Sequence, residues 1–208
     1  MAIYMWREET TPPFTPWANT IAYFPLVDDQ LDVTGNYTLS LTGTQKSVGY
    51  QFYWSELSVD WNYEKVYFIN LRVKIDTFGG GITDTGTFIN MWGMRYNWYN
   101  SNSSYSKIFM MKNGNNADIL STKQSTTTWT WYNMVFGMDS SYNYKAYINW
   151  NLVWSGTAPS IREYTNFNVL LFNHQTQATF SQVIVESEPR TDQEVLDYFN
   201  ATKSDYWL

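Results

Sequence analysis

From Ile69 to Ile75 apolar and polar residues alternate without a break. Ile69, Leu71, Val73 and Ile75 fall on one side of an extended chain, and Asn70, Arg72 and Lys74 on the other. A period of two belongs to a strand that buries one face and wets the other. Tyr67–Ile75 is therefore expected as a strand with its apolar residues on one side and its polar residues on the other. Similar short runs recur along the chain: Thr20–Leu26, Tyr37–Thr42, Tyr50–Trp54, Thr87–Trp92, Lys107–Met111, Ile119–Ser121, Trp131–Met138, Tyr144–Trp150, Leu152–Ser155, Asn168–Phe172 and Thr179–Glu186. Turn-forming residues separate them, at Asp28-Asp29-Gln30, Thr34-Gly35-Asn36, Gly79-Gly80-Gly81 and Asp139–Asn143. Polar Asn97–Ser104 reads as a loop. Many short strands with no helices between them imply an antiparallel two-sheet sandwich or a barrel.

One helix closes the chain. Thr191-Asp192-Gln193-Glu194 has the form of a capping box, in which the Thr hydroxyl takes the Glu amide and the Glu carboxylate reaches back. Val195 and Phe199 follow four apart, on one helix face. At the other end, Pro12, Pro13 and Pro16 enforce extended backbone and withhold strand hydrogen bonds. Residues 1–19 read as an arm, either folded back on its own domain or docked on a neighbouring subunit, and residues 20–208 as one domain.

Composition narrows the function. Aromatics make up 19% of the 208 residues, with 11 Trp, 17 Tyr and 12 Phe. They suit half-buried strands and supply flat apolar faces with polar tips for binding. The net charge is −6, and the 13 basic residues form no run. Nucleic acid and anionic membrane surfaces, which require clustered Lys and Arg, are excluded as main partners. No apolar stretch approaches the ~20 residues of a membrane span, and no secretory leader is read at the start. The chain has no cysteine, which removes disulfides, thiolate zinc sites and cysteine nucleophiles.

Four stretches, in order, resemble the laminin-G-like or concanavalin A-like lectin/glucanase superfamily. Thr20–Leu26 with Thr34-Gly35-Asn36 is similar to the opening strand and its "D…SGN" turn. Trp131–Phe136, Asp139 and Lys145–Asn149 are similar to the "W-hv-…-D-…-lYvNG" hairpin. Phe180–Val185 stands where the family has "iDEvriy", and Thr191–Lys203 resembles the helix that follows. The likeness covers residues 20–203 and implies an all-β, antiparallel jelly-roll sandwich with a C-terminal helix. Two departures stand out: Trp150 replaces the glycine expected after Asn149, and Ser181-Gln182 replace an Asp-Glu pair. The resemblance also implies a structural calcium, for which Asp28, Asp29 and Asp32 are the available acids. Calcium takes six or more oxygens, and three acids in a turn also read simply as turn-formers.

The glucanase branch of that superfamily carries a Glu-x-Asp-x-x-Glu motif, which is absent here. Glycoside hydrolysis needs two carboxylates across the scissile bond. The nearest pair, Glu186 and Glu188, reads as a solvated strand end. His174, the only histidine, supports neither a zinc site nor a triad. The positive signal is aromatic and amide density. Trp92, Arg95, Tyr96, Asn97, Trp98 and Tyr99 combine stacking faces with hydrogen-bonding groups, the division of labour that small-ligand sites use. Trp129, Trp131, Trp150 and Trp154 form a second group, in which Trp131 and Trp150 read as within-strand ladder residues.

The expected function is a non-catalytic, lectin-like carbohydrate-binding or adhesion module, displayed on a phage particle or bacterial surface, with a glycan or cell-surface polysaccharide as partner. The competing expectation is a structural virion protein, a capsid decoration or tail component, that binds no glycan. If residues 1–19 are the docking arm, they would contact other virion proteins, and the chain is expected as a homo-oligomer or assembly component on a virion or cell surface. A glycoside hydrolase is the third reading.

Overall fold

The computed structural model describes residues 17–26, 32–36, 40–41, 44–46, 49–52, 57–58, 67–77, 86–91, 94–100, 107–113, 118–126, 129–139, 141, 143–157 and 177–202. They form β1 (Thr20–Phe24), β2 (Ser40–Leu41), β3 (Thr44–Lys46), β4 (Gly49–Phe52), β5 (Leu57–Ser58), β6 (Phe68–Thr77) and β7 (Gly86–Met91). There follow β8 (Met94–Asn100), β9 (Lys107–Asn113), β10 (Asp118–Thr126), β11 (Trp131–Met138), β12 (Asn143–Ile148), β13 (Asn151–Thr157), β14 (Gln177–Glu186) and α1 (Asp192–Thr202). The expected strand Asn168–Phe172, Gly79–Gly81 and His174 lie outside the described residues.

The fold is an antiparallel β-sandwich with one C-terminal helix. Its larger sheet has the order β13-β12-β11-β6-β14-β4-β3, and β1 also pairs with β14. The second sheet is a meander, β10-β9-β8-β7, and β2 pairs with β5. Strand β14 pairs with β6 along its length. Its other edge is shared, with Ala178–Phe180 on β4 and Val183–Glu186 on β1. A register shift between Phe180 and Gln182 separates the two halves, a bulge that bends the strand locally.

The β6 alternation places Ile69, Leu71 and Val73 on one face. In register beside them lie Met134 and Phe136 of β11, then Ile148 and Ala146 of β12, and Val185, Val183 and Phe180 of β14. All are buried. Burying each large apolar side chain contributes about 1.5–3 kcal/mol, so this face is the main core.

The other face, though polar, is also covered. Asn70 and Arg72 are buried. Helix α1 lies across one end of this outer face. Val195 packs with Phe68, Val135 and Tyr147, and Tyr198 packs with Tyr23, Ile184 and Trp17. Two hydrogen bonds satisfy polar side chains trapped on this face, as burial favours. Asn133 Nδ2 donates to Asn70 Oδ1 at 2.8 Å, and Gln182 Nε2 donates to the Tyr198 hydroxyl at 2.9 Å.

The helix start follows its sequence. Glu194 N donates to Thr191 Oγ1 at 3.2 Å, and Thr191 N donates to Glu194 Oε2 at 2.8 Å. Just before it, Arg190 holds Glu186 with two hydrogen bonds, of 2.5 and 2.9 Å. Glu186 is completely buried, which corrects the solvated strand end. Burial pushes its carboxyl pKa up, against the pull of Arg190. The Arg190 guanidinium in turn lies 4.1 Å over the Trp17 ring, and Ser187 N donates to the Asn19 carbonyl. Residues Trp17–Asn19 thus pack onto the sandwich, while residues 1–16 lie outside the described set.

The β12–β13 hairpin turns on Asn149 and Trp150, with φ of 47° and 58°. Positive φ at both central positions matches the type I′ turn that suits a two-residue hairpin. Trp150 is therefore a turn residue, not a strand residue. Its ring lies against Phe199 of α1, with centroids 3.3 Å apart.

Candidate functional site

Beyond the helix, the outer face of the larger sheet carries a polar and aromatic cluster. It is built by register. Antiparallel partners share a face, and β6 pairs with β11 so that Lys74 meets Trp131 and Arg72 meets Asn133. On the other side of β6, Thr179 of β14 meets Lys74. One row thus runs across three strands as Trp131, Lys74, Thr179. The Arg72 guanidinium lies 4.5 Å from the Trp131 ring centroid, and Lys74 Nζ lies 5.2 Å from it. Such contacts contribute about 0.5–1 kcal/mol when exposed and about 2 when desolvated.

Trp129 completes the cluster two residues before β11. Its backbone is left-handed, φ 64°, a conformation that costs a bulky residue roughly 1–2 kcal/mol. Yet Trp129 is 70% exposed, so little packing offsets that strain. Lys74 Nζ lies 5.6 Å from the Trp129 ring centroid, so the ammonium is within reach of both indoles. Lys74 Nζ is also 3.5 Å from Asp76 Oδ1. Asp76 Oδ2 accepts a 2.6 Å hydrogen bond from Thr179 Oγ1. A strained, exposed aromatic beside a half-buried one, with donors at hand, has the composition of a stacking platform.

A second concavity, of about 450 Å³, opens where α1 begins and is lined by Asp139, Asn143, Lys145, Tyr147, Arg190 and Asp192, among others. Its polar groups serve the fold. Lys145 and Tyr147 both donate to the Asp192 carboxylate. These bonds, Lys145 first, hold the Asp192 pKa below the usual carboxylate value. Burial, then the bond to Asp192, raises the Tyr147 hydroxyl pKa. Asp139 accepts from Ser141 N, Asn143 N and Asn143 Nδ2; the side-chain bond from Asn143 lowers its pKa most. The donors and acceptors here answer one another, which makes the Trp129 cluster the stronger candidate.

The predicted aromatic stretch falls elsewhere. Arg95, Tyr96, Asn97, Trp98 and Tyr99 all lie on β8, in the second sheet. The expected loop is therefore a strand through Asn100, paired with β7 and β9 on both edges. Its positions alternate between the two faces of that sheet. Trp92 lies outside the described residues. Of the acids considered for calcium, Asp28 and Asp29 also lie outside them. Asp32 is buried, and its carboxylate accepts from Tyr23 N, Thr34 N, Thr34 Oγ1 and Asn36 N at 2.6–3.0 Å. It organises its own turn. Among the described residues no group of three or more His, Cys, Asp or Glu is placed to hold a metal ion.

Neither a family model nor any curated protein matches this sequence. Solved structures do match its fold. Domain 4 of AbnA, a GH43 extracellular arabinanase from Geobacillus stearothermophilus solved in complex with arabinotriose, superposes with a TM-score of 0.63. The two are 18% identical over 86% of this chain and 97% of that one. The receptor binding domain of botulinum neurotoxin mosaic serotype C/D gives 0.67 at 14% identity. Botulinum neurotoxin type C, which interacts with two ganglioside molecules, gives 0.62 at 13% identity. Each neurotoxin match covers 88% of this chain and 51% of the other, so this chain spans about half their length. At such identities the likeness establishes the β-sandwich and nothing finer.

Proposed function

We propose that this chain is a non-catalytic, laminin-G-like carbohydrate-binding module that holds a glycan against the outer face of its larger sheet. The observation that carries this reading is Trp129, 70% exposed in a left-handed backbone conformation. A residue so placed does little for the core. Sugar rings offer apolar C–H faces to such an indole, and Lys74 stands ready to donate to their oxygens. The domain matched from AbnA was solved with arabinotriose bound, which fits this reading. Nothing in the platform asks for a pair of opposed carboxylates. Its one acid among the described residues, Asp76, is buried and bonded to Thr179.

We further read the module as displayed on a phage particle or bacterial surface, tethered through residues 1–19 and working as part of an assembly. A glycan array tests the binding claim. Wild-type chain should mark a defined set of saccharides, and Trp129→Ala should lose them while keeping its melting temperature. Binding that survives Trp129→Ala and vanishes with Trp98→Ala would move the site to β8. No binding by the wild type would favour a structural virion protein. Sedimentation of the chain with and without residues 1–19 tests the tether; identical monomers would overturn it.

A further inference from the structure

We propose that the Trp129–Trp131 platform selects acidic saccharides, with Lys74 meeting a uronate-type carboxylate on the sugar stacked against Trp129. The inference rests on the glycan-binding reading above and adds the charge of the ligand.

Three observations carry it. First, the chain as a whole is acidic, at −6, yet among the described residues this cluster holds two cations, Arg72 and Lys74, against one carboxylate, Asp76. A local positive charge on an acidic protein favours an anionic ligand and repels wrong partners elsewhere. Second, the two opposite charges differ in reach. The Lys74 side chain keeps 18% of its surface and that of Asp76 only 3%. Lys74 is therefore the more accessible of the two to a ligand. Third, the two groups are unequally satisfied. Asp76 takes a 2.6 Å bond from Thr179, whereas its contact with Lys74 is 3.5 Å, beyond the range of a good N–H···O bond. An ammonium has three donors. The ammonium lies 5.6 and 5.2 Å from the Trp129 and Trp131 ring centroids, and ring contacts and one long ion pair leave it donor capacity for a ligand. A sugar ring on the Trp129 face would hold a ring carboxylate within reach of it.

The test uses the full chain with short oligomers of galacturonate, glucuronate and mannuronate, and with their methyl esters, which keep the ring and remove only the charge. Isothermal titration or biolayer interferometry at 50 and 300 mM salt gives the affinities. Wild type should prefer at least one acid over its ester by about fivefold at low salt, the scale of one partly exposed ion pair. The preference should shrink at high salt. Lys74→Met should abolish it, and Lys74→Arg should retain it. Circular dichroism of Lys74→Met confirms that the sandwich is intact; should that variant not fold, the salt dependence and Lys74→Arg still decide. Equal affinity for acids and esters, with binding lost in Trp129→Ala, would overturn the acidic preference and leave the glycan-binding reading standing. No binding of any oligomer, acidic or neutral, by a wild-type chain that also fails the glycan array would overturn both.

Discussion

Two tryptophans share left-handed backbone, and replacing each with glycine should give opposite lessons. Trp150 occupies the turn position where glycine is the usual residue, with φ 58°. Trp150→Gly relieves roughly 1–2 kcal/mol of backbone strain but loosens the unfolded chain by about 0.5–1 kcal/mol. It also removes the ring that lies against Phe199. An aromatic pair contributes about 0.5–1.5 kcal/mol beyond its area. Returning some ~100 Å² of half-buried indole to water costs roughly 2 kcal/mol more. The ring wins, and the variant should lose about 2 kcal/mol of stability. Urea unfolding followed by far-UV circular dichroism measures this. Trp129→Gly has the same backbone gain but an exposed ring, and should change stability by no more than about 0.5 kcal/mol. In a double-mutant cycle, Phe199→Ala should make Trp150→Gly much less harmful. A stabilised Trp150→Gly, or a cycle with no coupling, would refute the claim that this turn clamps α1 to the outer face.

Other consequences follow from the same contacts. Thr191→Ala removes the helix cap and should cost about 1 kcal/mol in a thermal melt, whereas Thr191→Ser should cost little; equal losses would deny the capping box. Arg190→Met strands the buried Glu186 carboxylate and should cost about 3 kcal/mol at pH 7. Because burial raises the Glu186 pKa, its contribution is full below the ordinary carboxylate range and is lost as pH rises through the raised value. The Arg190→Met penalty should therefore shrink toward pH 4, and a penalty independent of pH would contradict this. Asp32→Ala removes the acceptor of four donors and should cost roughly 2–3 kcal/mol by urea unfolding, and calcium should leave the wild-type midpoint unchanged; a wild-type midpoint raised by calcium would assign the turn to a metal.

Much of the fold was legible because strand alternation and turn chemistry are local. The β6 alternation located the core face, Asp139–Asn143 located a hairpin, and the capping box located α1. The burial of Asn70 and Arg72 was not legible, since their partners, Asn133 and Trp131, lie about sixty residues later in the chain. The meeting of Lys74 with Trp131 was equally hidden, because register between distant strands is set by the whole sheet. Two misreadings had local signals. In β8, Tyr96 and Trp98 alternate with Arg95 and Asn97, a strand period masked by the Asn and Ser residues that follow. At the β12–β13 turn, Asn149 marked the first positive φ, but Trp in place of glycine concealed the second.

The most direct measurement is a nitrogen-edited NMR titration of the tryptophan indole N–H signals with a saccharide identified on the array. Stacking at the outer face should shift the Trp129 signal first and the Trp131 signal with it. Shifts confined to Trp98, or no indole shift at saturating saccharide, would contradict the platform.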